Sequence, residues 1–158
     1  MTPRRIDVLI FPDFQLLDAA GPIAAFEIGG RLAPGAYDLR VVAAAPGEVR
    51  SSSGVSLTAK ALDEAPLDTL LVSGGDGPRP ERLDPAVITA AAAAAGRARR
   101  VVSVCSGAFI LAEAGLLEGR RATTHWSRTA DFRRRFPTTR LEPDRIYVRD
   151  DPVWTSAG

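Results

Sequence analysis

Cys105 and His125 are the only cysteine and the only histidine of the 158-residue chain. With one cysteine an internal disulfide is impossible, and a Cys/His zinc cluster is nearly so. Any thiol chemistry therefore belongs to Cys105. The run Ser103-Val104-Cys105-Ser106-Gly107-Ala108 places that thiol between a β-branched stretch and an Ala-rich apolar one. This is the pattern of a nucleophile elbow, a sharp strand-to-helix turn that needs small neighbours and pushes the side chain into a cleft. The first helical N–H groups then point at the sulfur or at an oxyanion beside it, which is expected to lower the thiol pKa and to stabilise developing negative charge. The backbone N–H groups of Gly75 and Ser106 are the expected oxyanion donors. Each feature also has a plainer reading. Free cysteines are commonly buried and inert, a lone histidine beside a tryptophan is often only a hydrogen-bonded, half-buried side chain, an aspartate opening a helix usually caps it, and paired glycines make turns.

The elements that must hold these residues follow from periodicity and punctuation. Arg5–Phe11 reads as a buried strand ended by Pro12, and Leu16–Leu32 as a helix with Asp18 near its start, Pro22 in an early turn and Gly29-Gly30 weakening its end. Tyr37–Ala44 is a second strand. Glu48–Arg50 and Val55–Thr58 form a hairpin about Ser51-Ser52-Ser53-Gly54, and Thr69–Ser73 is an apolar strand ending in Gly74-Gly75-Asp76-Gly77. Pro85–Arg100, with six consecutive alanines, reads as one helix, Val101–Val104 as a strand and Phe109–Leu117 as the helix after the elbow. Arg120–Thr124 (a strand), Ser127–Phe136 (a helix) and a hairpin of Arg145–Val148 with Val153–Ser156 about Asp150-Asp151-Pro152 complete the chain. Strands apolar throughout and alternating with helices imply a parallel sheet covered on both faces, an α/β three-layer sandwich. In such sheets ligands bind at the carboxyl ends of strands. Asp18, Gly74-Gly75 and Cys105 all fall there.

Length and composition fit this picture. A chain of 158 residues, 46% hydrophobic and 25% charged, suffices for one domain with a real core. No apolar run approaches a membrane span, and the N-terminus lacks a secretory pattern, so the expected location is the cytoplasm. A net charge of +1 makes no general case for nucleic acid or anionic membranes. Lys60 is the one lysine among twenty basic residues, a bias that nothing in the fold demands. The run Arg133-Arg134-Arg135 spans more than half a helical turn, so its side chains fan out as a solvated surface.

The chain resembles the ThiJ/PfpI branch of the class-I glutamine amidotransferase-like fold. The resemblance rests on Phe11-Pro12-x-Phe14-Gln15-Leu16-Leu17-Asp18-x-x-Gly21-Pro22, Ser73-Gly74-Gly75, Ser103 to Ala108, and Ala114-Gly115-Leu116-Leu117-x-Gly119-x-x-Ala122-Thr123-Thr124-His125-Trp126. It implies a flavodoxin-like sandwich in which Cys105 is the elbow thiol, Asp18 the carboxyl beside its sulfur, His125 a nearby cleft residue, and Gly74, Gly75 and Ser106 the oxyanion or ligand-binding elements. It implies no metal and no cofactor. Two subgroups are similar. In AraC-type transcription regulators such a domain precedes a helix-turn-helix, and the wording from Phe14 to Pro22, from Val104 to Phe109 and from Tyr147 to Gly158 is closer to these. Isonitrile hydratase-like enzymes share the Asp18 position and the Thr-Thr-His-Trp run, but more often carry Thr where this chain has Ser106. The resemblance thus favours a non-catalytic small-molecule sensor, 1–158 being a single C-terminally truncated domain without the helix-turn-helix, and hence without direct nucleic-acid contact. A cysteine-dependent hydratase or hydrolase is the alternative. It further implies a homodimer, and an apolar face left open where the following helix would pack.

Overall fold

In the computed structural model, which describes residues 2–76 and 83–158, the chain runs β1 (Arg4–Leu9), α1 (Leu16–Leu32), β2 (Tyr37–Ala43), β3 (Gly47–Arg50), β4 (Ser56–Ala61), β5 (Leu67–Val72), α2 (Pro85–Ala95), β6 (Ala98–Ser103) and α3 (Gly107–Glu113), followed by β7 (Arg121–Ala122), a 3-10 turn (Trp126–Arg128), α4 (Thr129–Arg135), β8 (Arg140–Leu141), β9 (Tyr147–Asp150) and β10 (Val153–Ser156). Gly77, the last residue of the glycine-rich turn, lies outside the described residues. Eight strands form one sheet in the order β3-β4-β2-β1-β5-β6-β10-β9, while β7 and β8 pair separately. The strands from β4 to β10 in that order are mutually parallel. The antiparallel pairs are the two outer hairpins, β3 with β4 and β9 with β10.

The sheet explains its own sequence. In β1, Ile6, Asp7, Val8 and Leu9 are all buried, as a central strand covered on both faces requires. Asp7 is tolerated there because Arg5 bonds it at 2.8 Å and Arg40 lies at 3.8 Å. β1 and β5 are the strands that connect to helices in opposite directions along the sheet, α1 leading to β2 and α2 to β6. Right-handed crossovers therefore put these helices on opposite faces. Burial agrees. On the face of α2 and α3, Val101, Ser103, Val148, Val153 and Thr155 are buried, whereas their alternates Val102, Trp154 and Ser156 are half-buried and Tyr147 is exposed. The second outer layer thus consists of α1 alone among the described helices, and it leaves the β6-β10-β9 end uncovered.

Several boundaries differ from the expectation, β9 among them, which runs Tyr147–Asp150 in place of Arg145–Val148 and so takes in Asp150 from the expected turn. The Ala-rich helix stops at Ala95, and Ala98-Arg99-Arg100, read as its basic end, instead open β6, where Ala98 pairs with Leu67 and Arg100 with Thr69. The helix after the elbow is Gly107–Glu113 and stops short of Leu117, because Gly115 turns into the left-handed region at φ 74°. The strand read over Arg120–Thr124 reduces to Arg121–Ala122. In addition β4, with Lys60 and three further exposed positions, is not apolar throughout, as befits a strand near the sheet margin.

Among the described residues no helix is long and apolar enough to cross a membrane. The arginine run does not form one patch. Arg135 turns inward to Glu113 and over the Phe109 and Phe136 rings, whereas Arg134 stays at the surface on Asp131.

Candidate functional site

Cys105 follows β6 and precedes α3 with φ 57°, a left-handed conformation rare for a non-glycine residue and the strain expected at an elbow. The turn is held from several sides. The Cys105 amide donates to the Ser156 carbonyl at 3.1 Å, and the Thr124 hydroxyl donates to the Cys105 carbonyl at 3.0 Å. These bonds tie the elbow to β10 and to the Thr-Thr-His-Trp segment. Gly107 is required because a Cβ there would stand 2.6 Å from the Val72 carbonyl oxygen.

Asp18 reaches the same point from α1. Phe14 bridges to both Ser51 and Gly75, and the Gln15 amide donates to the Gly74 carbonyl at 2.8 Å. The helix therefore starts against the glycine pair and sets Asp18 over it, one turn in. The N-cap of α1 is Gln15, which makes no side-chain capping bond, and Asp18 lies in the first turn. A Cβ on Gly74 would lie 2.6 Å from Asp18 Oδ2, 2.8 Å from Cys105 Cβ and 2.8 Å from the Ser106 nitrogen, so only glycine lets the carboxyl, the thiol and the elbow amide converge. Gly75, at φ 144°, is equally hemmed in by the backbone of Asp13, Phe14 and Gln15.

Five of the expected residues, Asp18, Gly75, Cys105, Ser106 and His125, line one cleft of about 300 Å³, with Gly74 buried beneath them. Gln15, Arg128 and Gly158 complete the lining. Gln15 and Gly158 occur in the runs that carry the resemblance but without an assigned role there, and Arg128 occurs in none of them. Arg128 is one of many arginines, and its place is set by packing over the Phe109 ring, 4.6 Å from the centroid, and by its bond to Asp131 at 3.3 Å. His125 Nδ1 accepts from the Ser127 amide and lies 2.8 Å from Ser127 Oγ, which in the neutral ring assigns the proton to Nε2.

The electrostatics reverse one expectation. Burial first, and then the Asp18 carboxylate, push the Cys105 thiol up to about 11, against the Ser106 amide and hydroxyl, which pull it down. The amides at the start of the seven-residue α3 do not offset this. Asp18 is itself raised, mainly by burial. The thiol, the Gly74 amide and the charge of His125 hold it back. Neither hydrogen-bonding neighbour satisfies the carboxyl fully, since Oδ2 is buried with no partner in bonding geometry among the described residues. The two groups behave as a coupled pair that keeps one proton between its two titration steps. The Gly75 amide, expected to serve an oxyanion, donates to Ser106 Oγ at 2.9 Å.

Residues 4–158 match the DJ-1/PfpI family. The chain is 46% identical over 138 residues to a Streptomyces lividans protein from the cpoL 5′ region, covering 86% of this chain and 97% of that one. It is 35% identical over 158 residues to the isonitrile hydratase of Pseudomonas putida, covering 98% of this chain and 65% of the hydratase. It is 29% identical over 159 residues to the HTH-type transcriptional regulator GbdR of Pseudomonas aeruginosa, covering 99% of this chain and 43% of the regulator. The chain thus spans less than two thirds of the hydratase and less than half of GbdR. Among solved structures, a ThiJ/PfpI family protein from Pseudomonas syringae superposes with a TM-score of 0.84 at 30% identity, over 100% of this chain and 64% of that one.

Proposed function

The chain belongs to the DJ-1/PfpI family, and from that premise we propose that it is a small-molecule-sensing domain of the kind carried by AraC-type transcription regulators, working in the cytoplasm. The observation that carries this reading is the setting of the thiol, half-buried in the cleft with the Asp18 carboxyl beside it. A nucleophilic cysteine reacts as its thiolate. Cys105, pushed up to about 11, is held as a thiol at neutral pH. What the cleft offers instead is recognition: a buried acceptor in Asp18 Oδ2, a charged Arg128 and a histidine Nε2–H around about 300 Å³. The similarity to GbdR over 99% of the chain points the same way. A ligand of this cleft is expected to raise the melting temperature as its concentration rises, and to be recovered chemically unchanged. The reading fails if the bound molecule is consumed in a Cys105-dependent way.

A second reading has an observation of its own. The 35% identity with isonitrile hydratase, over 98% of this chain, favours a cysteine-dependent hydro-lyase. In that reading Cys105 adds to an electrophilic carbon and Asp18 moves the proton.

The sensing domain is further proposed to act as a homodimer through α1. Leu17, Ile28 and Leu32 are exposed on this helix, and their spacing places them within an arc of roughly 60°. Of its seventeen residues only Asp18 and Ala19 are buried, although the helix is apolar nearly all round. Ile28→Glu is therefore expected to convert a dimer into a monomer in size-exclusion chromatography with light scattering. A wild-type chain that is already monomeric at tens of micromolar would contradict the assignment.

A further inference from the structure

The Ser106 hydroxyl holds both backbone polar groups of Gly75 at once. Its oxygen accepts from the Gly75 N–H at 2.9 Å and its proton goes to the Gly75 carbonyl at 2.7 Å. Ser106 is buried, and Gly75, half-buried, lines the cleft beside it. Ser106 directly follows Cys105 in the elbow, and Cys105, Ser106 and Gly75 line the same cleft. The hydroxyl oxygen therefore sits where a sulfur nucleophile and two backbone amides meet. When a thiolate attacks an acyl carbon, the carbonyl oxygen becomes an oxyanion beside the sulfur and needs such donors aimed at it. Here one of the two is already engaged by the chain's own side chain.

We propose that Ser106 is a specificity-determining positioning residue: by occupying the Gly75 amide, its hydroxyl withholds that donor from a carbonyl oxygen and keeps the Cys105 cleft a binding site with little acyl-transfer reactivity. This inference rests on the cleft being the functional site and adds the reason why a carbonyl compound entering it is held without being acylated onto sulfur. The bridge has a second effect, since it ties the glycine pair to the elbow. A merely structural role would consist of that tie alone, and the test must separate the two.

The test uses the full chain and two thiol probes at one pH. With p-nitrophenyl acetate, the Cys105 thiol gives its proton to solvent base, the thiolate Sγ bonds to the carbonyl carbon, and the carbonyl π pair becomes an oxyanion. Its collapse breaks the ester C–O bond, expels p-nitrophenolate and leaves an acetyl thioester. With iodoacetamide the same sulfur displaces iodide at a saturated carbon and no oxyanion forms. The ratio of the two rates cancels changes in thiol pKa and in access, because both reactions use the same thiolate. Ser106→Ala is expected to raise the ratio of acylation to alkylation by about tenfold or more, in line with the effect of one oxyanion donor. Ser106→Thr, which keeps a hydroxyl, is expected to leave it near the wild-type value. Should the alanine variant not fold, Ser106→Val against Ser106→Thr is the isosteric comparison, with the ratio expected to be higher for Val. A ratio within twofold of wild type in the hydroxyl-free variants overturns the proposal, as does an acylation burst that survives Cys105→Ala. Neither result touches ligand stabilisation of the wild-type chain, on which the sensing reading stands or falls separately.

Discussion

Gly107→Ala is expected to lower stability by about 2–3 kcal/mol and the melting temperature by roughly 5–10 °C, the scale set by overpacking a core in a domain of this size. Two effects oppose each other. Alanine is the better helix former by about 1 kcal/mol, and Gly107 opens α3. Against this, the added Cβ would stand 2.6 Å from the Val72 carbonyl oxygen and 2.7 Å from that of Ser73. Those atoms lie at the end of β5 and on the residue just after it, and both residues are fixed by the sheet, the Val72 carbonyl accepting from the Val104 amide and the Ser73 amide donating to the Leu9 carbonyl. Neither side of the clash is the far end of a flexible side chain, so the steric cost wins. Gly30→Ala in α1 is the control. A Cβ there meets nothing within 4 Å, so the change is expected to be neutral or to stabilise by up to about 1 kcal/mol. Thermal unfolding of the two variants measures the difference, and equal melting temperatures would show that the elbow is not packed as described.

Asp18→Asn is expected to make Cys105 more reactive toward iodoacetamide. In the wild-type chain the thiol is pushed up to about 11, first by burial and next by the Asp18 carboxylate, which acts both through its charge and as a hydrogen-bond acceptor. Asparagine removes the charge and leaves the burial, so the midpoint falls without returning fully to the ordinary thiol range. Below the midpoint the thiolate fraction scales as ten to the power of pH minus pKa. A fall of about one unit therefore gives roughly tenfold faster alkylation at pH 8. The sign is the informative part. If Asp18 served chiefly to activate the thiol by taking its proton, the same substitution would slow alkylation, and that outcome would favour the enzymatic reading.

The elements were legible where sequence punctuation is strong. The bounds of α1 follow from an apolar stretch opened after Gln15 and weakened at Gly29-Gly30 just before its end at Leu32, and the presence of the β9-β10 hairpin from Asp151-Pro152 between two short strands. The end of α2 was harder to place because Arg99 and Arg100 resemble the basic last turn of a helix. What decides their state is tertiary, the parallel ladder that β5 offers to Ala98–Ser103. The bare second face over Trp154 and Tyr147 depends on layer placement, which follows from strand order more than from any local pattern.

In the site, Asp18, the glycine pair, Cys105 and His125 were legible because each stands at the carboxyl end of a strand or in a recognisable run. The direction of the Cys105 shift was not, since it depends on how deeply the sulfur is buried and how close a residue 87 positions away comes to it. The bond from Gly75 to Ser106 is a matter of one side-chain rotamer, which residue types do not reveal. Arg128 entered the cleft unannounced, placed there by the Phe109 ring and Asp131.

The Cys105 cleft is proposed to hold a small molecule without converting it. Ligand-observed NMR of the purified chain with a mixture of small polar metabolites and one simple alkyl isonitrile reads binding and conversion together. Saturation transfer to at least one metabolite is expected, with its loss when Cys105 is alkylated, and an isonitrile spectrum unchanged over hours. Formation of the N-substituted formamide, dependent on Cys105, would contradict it.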